Sequence, residues 1–320
     1  MSVVPRDSRS EDRKRTSGPA KPPRRLSKKH REWIAGFLFV APDAIGLFVF
    51  LGIPMILSLG MGFFDVSGFG GYSFVGFENY QRMFTDEQFL GSVSVTAVYL
   101  VGFVAGVFVM SLALALLVKQ KMPLVGLFRS MFFLPHVVSL VVVGLVWQFM
   151  LVDGIGVVNR LLRTVGLSSV SWLGNPRYAL WTVIAISVWF FMGYYMIIFL
   201  SGLQDIPQEY YDAAKIDGAN ALESFRYITW PLLRPTSFFV LLVTTVTGVA
   251  GLQAFDLIYV MTAGGPADST SLGIFYIYEQ AFQYNDYGYA AAMSSFLVLI
   301  LLVATALMLA VTRGGRFDSD

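Results

Sequence analysis

Cysteine is absent from the 320 residues, and histidine occurs only twice, as His30 and His136. The first absence removes disulfide scaffolds, thiolate metal sites, thiol redox chemistry and cysteine nucleophiles. No HExxH pair, GxSxG elbow or P-loop is present, so zinc hydrolysis, serine hydrolysis and nucleotide hydrolysis lack their residues. Gly154-Ile155-Gly156 opens like a dinucleotide loop but continues Val-Val-Asn159 after no soluble strand, and reads as a turn. Charge is also scarce: 14% of residues are charged against 56% hydrophobic, with mean hydropathy +0.64. That composition is too apolar for an ordinary soluble domain.

The few charges are unevenly placed. Residues 1–31 carry 11 Lys/Arg against 3 acids, while the whole chain has a net charge of only +2. Such a tail suits nucleic acid or an anionic membrane surface; its Ser/Pro-rich make-up and lack of aromatics favour a disordered, solvated tail beside lipid, and no nucleic-acid partner is expected. The apolar run from Trp33 to Phe64 greatly exceeds a signal-peptide core of about 7 to 15 residues, so it is expected to remain as an anchor.

Apolar stretches at 33–63, 92–118, 128–151, 178–203, 236–263 and 288–312 are each long enough to cross about 30 Å of hydrocarbon as a helix. They show none of the alternation of barrel strands. The expected fold is an all-α membrane protein with six transmembrane helices. It has a tail over 1–31, a membrane domain over 32–313 and a short cytoplasmic tail over 314–320. Pro54, Pro135 and the Gly248 to Gly251 pair are expected to bend or break helices, and Gly102 to Gly106 to admit a neighbouring helix. With the N-terminus inside, 19 Lys/Arg fall on the cytoplasmic side and 4 on the other, which predicts both termini in the cytoplasm.

The connection 204–235 is more ordered in sequence than a plain link requires. Asp205 is placed to cap a first helix, with Pro207 in its first turn, running to about Asp217. Gly218 then supplies a sharp turn, and Asn220 with Glu223 has capping-box spacing for a second helix. Tyr210, Ala213, Ala214 and Asp217 share one face, which fits either a groove on another protein or the lipid headgroups.

Asp212-Ala213-Ala214, Gly218 and then Ile228-Thr229-Trp230-Pro231 resemble, with matching spacing, the EAA loop of importer-type ABC transporter permeases. Asp212 stands where Glu is usual and Trp230 where Leu is usual. The motifs Phe74-Val75-Gly76-Phe77-Glu78-Asn79-Tyr80, Phe128-Arg129 to Leu134-Pro135, Gly156-Val157-Val158-Asn159, and Phe255-Asp256-Leu257-Ile258-Tyr259 through Pro266 narrow the likeness. They resemble the carbohydrate-uptake permeases of maltose and glycerol-phosphate type over about residues 33–312.

That resemblance implies a non-catalytic pore subunit in a bacterial cytoplasmic membrane. Its implied partners are a second homologous permease, two ATPase subunits (homodimer or heterodimer) and an extracytoplasmic solute-binding protein. The chain itself would bind no cofactor or metal, with ATP and Mg held by the ATPase. Glu209, Asp212, Ala213, Ala214, Asp217, Gly218, Ile228 and Pro231 are the implied coupling residues. The solute would be a disaccharide, oligosaccharide or glycerophosphodiester.

For substrate contact the resemblance points first to Tyr194, in the aromatic run Trp189 to Tyr195. Phe191, Thr247, Gly251, Gln253 and Asp256 complete the candidate set. Thr247, Ala250, Gly251 and Ala254 share a face matching a pocket-lining stretch of maltose permeases, but without the asparagines found there. Two other readings remain at this point: a proton-coupled secondary transporter using Asp43 or Asp256, because intramembrane acids are functional candidates, and a scaffold that only recruits a partner.

Overall fold

The computed structural model describes residues 28–67, 70–119 and 124–311, and they are predominantly helical. The tail over 1–27, Lys121, Arg313, Arg316 and the segment 314–320 lie outside the described residues. The described residues divide into two compact units between Met55 and Ile56. In the first, α1 (Lys28–Leu47) begins inside the segment read as tail and passes through a π-helical turn, Phe48–Gly52, into α2 (Ile53–Met61), whose residues from Ile56 on belong to the second. The turn is the response to Pro54, which has no N–H to give to the preceding turn; the Ile53 N–H bonds the Phe48 carbonyl, five residues back.

The second unit continues with a hairpin of β1 (Phe64–Ser67) and β2 (Gly71–Phe74), antiparallel with Phe64 opposite Phe74. It is followed by α3 (Glu78–Thr85). The Asn79 side-chain amide donates to the Gly62 and Phe64 carbonyls, both at 3.0 Å, and so clamps α3 to the hairpin. That is the structural work of the Phe74 to Tyr80 motif.

The remaining helices are α4 (Glu87–Lys119), α5 (Val125–Phe133), α6 (Leu140–Leu151), α7 (Val157–Thr164), α8 (Pro176–Gln204), α9 (Gln208–Ile216), α10 (Ala221–Ser224), α11 (Trp230–Leu232), α12 (Arg234–Ala250), α13 (Leu252–Met261), α14 (Gly273–Tyr278) and α15 (Tyr287–Val311). By length and composition, Ala35–Met61, Glu87–Lys119, Pro176–Gln204 and Tyr287–Ala310 can each cross a membrane. Two further pairs have the required apolar content but are bent: Val125–Val137 with Leu140–Leu151 by 97°, and Ala221–Leu232 with Arg234–Val249 by 66°.

The stretch 128–151, read as one span, is thus broken. Leu134–Val137 form a 3₁₀ turn around Pro135, and Val138 and Ser139 leave helical geometry at ψ 147° and 132°. The stretch 236–263 is divided at Gly251, whose φ of +65° is a conformation a side chain disfavours. Both breaks fall at or beside residues whose chemistry marks them in the sequence.

The core is built on α4 against α8. Gly102 and Gly106 make this contact close: a Cβ on Gly106 would lie 2.6 Å from Val188, and one on Gly102 3.1 Å from Ile184. Within the seam the Tyr99 hydroxyl donates to Ser187 Oγ at 3.0 Å, and Ser187 donates on to the Val183 carbonyl, so both of these buried hydroxyls are satisfied. Phe103, Val107, Phe199 and Leu203 fill the same seam with almost no exposure.

A polar staple joins the start of α4 to α14 and α15. The Asp86 carboxylate accepts from Tyr276 (2.8 Å), Tyr289 (2.7 Å) and the Gln88 and Phe89 backbone N–H groups. Arg82 pairs with Asp286 at 2.7 Å and lies 4.0 Å from the Tyr289 ring centroid.

Candidate coupling loop and translocation site

The connection after α8 folds as a helix, a turn and a second helix. Asp205 does not cap α9, as its position led us to expect. It closes α8 instead, its N–H bonding the Ser201 carbonyl, and α9 starts after Pro207 with no side-chain cap. The remainder follows the expected geometry. Gly218 has φ +81°, and Ala219 N–H reaches back to the Ala214 carbonyl at 2.9 Å, which ties off the end of α9. The Asn220 side chain then accepts from Glu223 N–H at 3.0 Å while the Glu223 carboxylate accepts from Asn220 N–H at 2.7 Å, a complete capping box.

What fixes this loop to the helices is Tyr211, on the side of α9 away from Tyr210. Its hydroxyl accepts from Lys119 Nζ at 3.0 Å and pairs with Thr229 Oγ1 at 3.0 Å. The Tyr211 hydroxyl thus connects Lys119, the last residue of α4, to both limbs of the loop. Trp230, the departure from the usual Leu, packs edge-on to Phe108 of α4 and against Phe225. Ile228 packs on the core and Pro231 is half-buried.

With Tyr211 turned inward, the other face of α9 is free. Tyr210 is 54% and Ile216 87% exposed, and Glu209, Ala213 and Asp217 are exposed beside them, with Ala214 half-buried. Asp212 is held only by Gln208 and by Lys215 at 3.5 Å, local pairs on the helix surface. Tyr211 was not singled out from the sequence; Thr229 entered only as part of the Ile228 to Pro231 motif and Lys119 only as one of the counted charges. The only available signal was that Tyr211 falls outside the face shared by Tyr210, Ala213, Ala214 and Asp217.

The candidate substrate residues separate into two groups. Tyr194, 38% exposed, lies with its ring centroid 4.8 Å from that of His136, in the turn between α5 and α6. His136 also meets Phe133, Phe190 and Phe191, a packing position. Phe191 is only 4% exposed, enclosed by Phe103, Phe190, His136 and Tyr195; it is a core residue. Thr247 of α12 is half-buried.

Gly251 is buried at the α12 to α13 break, where a Cβ would lie 2.8 Å from Ile274. Beyond it Gln253 is exposed and Asp256 half-exposed. Among the described residues no hydrogen bond or ring contact joins them to Tyr194. A separate cavity of about 410 Å³ on α8 is walled by Trp147, Trp172, Trp181 and Trp189, with Tyr178 and Thr182 also in its lining.

A helical, multi-pass membrane protein with broken spans and a projecting helical turn has the architecture of a transporter subunit. The profile of the family "Binding-protein-dependent transport system inner membrane component" matches residues 102–314, and the chain belongs to that family of permeases. It is 35% identical to the probable ABC transporter permease protein YesP of Bacillus subtilis (strain 168), over 86% of this chain and 89% of that one. It is 36% identical to the lactose transport system permease protein LacF of Rhizobium radiobacter, over 90% and 97% of the two chains. Its fold matches, at TM-score 0.78 and 25% identity over 89% of this chain and 95% of the other, the crystal structure of a bacterial alginate ABC transporter in complex with an alginate pentasaccharide-bound periplasmic protein.

These findings give the proton-coupled reading no support. Asp43 is exposed and Asp256 half-exposed, and neither has a hydrogen-bond or ion-pair partner among the described residues, so no proton relay is visible around either acid.

Proposed function

We propose that this chain forms half of the translocation path of an ATP-driven importer for a saccharide, crossing the membrane six times with both termini cytoplasmic. The bent pair Val125–Val137 with Leu140–Leu151 then counts as the third span, and α12 with α13 as the fifth. The observation that carries the reading is the loop itself: α9 is anchored through Tyr211 to Lys119 and Thr229, while Tyr210, Ala213 and Ile216 stand free on its outer side. A face so held has something to receive and a rigid connection through which to pass it on. In this reading α9 is the EAA coupling helix, seated in a groove of an ATPase subunit. Glu209, Asp212, Ala213, Ala214 and Asp217 contact the groove, Gly218 makes the turn, and Ile228 and Pro231 hold the second limb.

The full transporter has a second permease, two ATPase subunits that bind ATP and Mg, and a solute-binding protein. Closing of the ATPase pair moves α9 and, through Lys119, the end of α4, switching access to the path. Saccharide as the solute class is supported by the lactose relative and the alginate-transporting neighbour. It is supported too by the mixed aromatic and polar character of Tyr194, Thr247, Gln253 and Asp256. Phe191 shapes the site from behind.

The test is affinity purification of this chain in mild detergent, with its native neighbours co-expressed, followed by uptake assays in cells. A second permease and an ATPase should co-purify, and uptake should stop on ATP depletion but survive collapse of the proton gradient. Active uptake by the chain alone, or uptake that follows the proton gradient, overturns the proposal.

A further inference from the structure

The cavity walled by four tryptophans belongs neither to the coupling loop nor to the candidate substrate set. On α8 its lining residues Tyr178, Trp181, Thr182, Ala185, Ile186 and Trp189 recur at i, i+3, i+4, i+7, i+8 and i+11, which makes one continuous stripe along the helix. Trp147 and Leu151, one turn apart on α6, line it from a second helix, and Val158 of α7 and Trp172 adjoin them. The cavity is therefore a groove that follows α8 from its first turn for about 16 Å, half the hydrocarbon thickness of a bilayer. Tyr194 lies five residues past Trp189, about 140° away round the helix, so the groove is not on the side of α8 that carries that candidate.

Two polar groups of the lining are spent within the protein. The Thr182 hydroxyl donates to the Tyr178 carbonyl at 2.9 Å, and Trp172 Nε1–H donates to Asn159 Oδ1 at 3.2 Å. The groove is nevertheless reachable: Trp181 is 58% exposed, whereas Val183 and Ile184, on the side packed against α4, are buried. Cations gather at its α7 end. Of the four Lys/Arg assigned to the outer side, Arg82 is paired with Asp286. The other three, Arg160, Arg163 and Arg177, belong to α7 and the first turn of α8, as do Val158 and Tyr178 of the groove. Arg163 donates to the Gly154 carbonyl, while Arg160 and Arg177 are exposed and form no ion pair among the described residues. Arg177 precedes Trp181 by one turn on the same side of α8.

We propose that this groove holds one acyl chain of a phospholipid of the outer leaflet, with its phosphate at Arg177. A slot one leaflet deep, with unpaired cations at the headgroup end and Trp and Tyr at the interface, matches such a lipid in length and in charge. The bound chain braces α6, the second limb of a broken span, against α8. The inference rests on the orientation proposed above, which puts the start of α8 outside, and is independent of the saccharide reading.

The experiment uses the assembled transporter, stripped of lipid in mild detergent and titrated with phosphatidylglycerol brominated midway along one acyl chain. Bromine is a short-range quencher of tryptophan emission. Wild type should show saturable quenching that unbrominated phosphatidylglycerol reverses and that lactose and maltotriose do not. Ala185→Phe, which fills an exposed lining position, should remove the saturable part, and Ala185→Ser should retain it. Arg177→Gln should keep the amplitude and shift the midpoint to about fivefold more lipid, the loss of one basic residue beside an anionic headgroup. Saturable quenching equal in wild type and Ala185→Phe places the lipid elsewhere and overturns the proposal, as does its loss in Ala185→Ser. An unshifted midpoint in Arg177→Gln overturns the phosphate contact. Reversal by a saccharide makes the groove a sugar site, and saturable quenching of the isolated chain that disappears on assembly makes it a subunit contact; either overturns the lipid.

The lack of native cysteine lets the leaflet be read separately. Arg177→Cys should react with a membrane-impermeant maleimide added outside spheroplasts. Labelling only from the cytoplasmic side overturns the proposed orientation and the outer-leaflet assignment with it. The titration in detergent has no sides and reports on the groove by itself.

Discussion

A Cβ on Gly193 would lie 1.8 Å from the Phe132 carbonyl oxygen, so α8 meets the end of α5 at a point that admits only a hydrogen. The obstacle is backbone, which cannot swing aside as a flexible side chain would. We expect Gly193→Ala to cost about 2–3 kcal/mol of stability through overpacking. The readout is the thermal midpoint of the detergent-purified chain; a midpoint equal to that of wild type would show that the break before α6 can retreat.

Gly218 presents the opposite case. Nothing lies within 4 Å of a Cβ there, but φ is +81°, so a substitution strains the backbone without a clash. Gly218→Val should leave the chain at normal abundance in the membrane and abolish most uptake. Gly218→Asn, which tolerates the left-handed region, should retain most of it. Equal uptake by the Val variant and wild type would remove the turn from the coupling mechanism.

Tyr211→Phe keeps the ring but removes the oxygen shared by Lys119 and Thr229. The loss should be about 1 kcal/mol, local to the loop. Hydrogen exchange should accelerate over residues 208–229 while α4 and α8 stay protected away from the loop. Protection unchanged in the loop would mean that Trp230 and Ile228 suffice to hold it.

The Asp86 staple should make stability pH-dependent. Partial burial alone would raise this carboxyl, but hydrogen bonds from Tyr289 and Tyr276 and from the Phe89 and Gln88 backbone outweigh it and hold the group below its ordinary value. Tyr276, raised first by burial and then by the Asp86 carboxylate, remains a protonated donor. The unfolded carboxyl, near pH 3.9, takes up its proton before the folded one does. The stabilisation is therefore full above that pH and is lost as pH falls through the folded value. The thermal midpoint of wild type should exceed that of Asp86→Asn by a constant gap from neutrality down to about pH 5, the gap narrowing as pH falls further. A gap independent of pH would place the contribution in shape rather than charge.

Much of this was legible in the residues themselves. The apolar stretches, the breaks near Pro135 and Gly251, the turn at Gly218 and the Asn220 to Glu223 capping box all depend on bonds closed within a few residues. The close approach at Gly102 and Gly106 was legible too, since small residues four apart leave a groove whatever fills it. Asp205 was misassigned because it adjoins two helix ends, the end of α8 and the start of α9, and only the conformation of Pro207 decides between them.

The sequence by itself therefore determined the membrane class, the approximate course of the helices and the form of the loop, since hydropathy and local hydrogen bonding act over short separations. Only the tertiary structure decided which neighbouring aromatic is buried, Phe191, and which is reachable, Tyr194. It alone showed that Tyr211 anchors the loop and that Gly193 admits a carbonyl. Those outcomes depend on contacts between residues far apart in the chain, and no periodicity within one helix carries the identity of its neighbour.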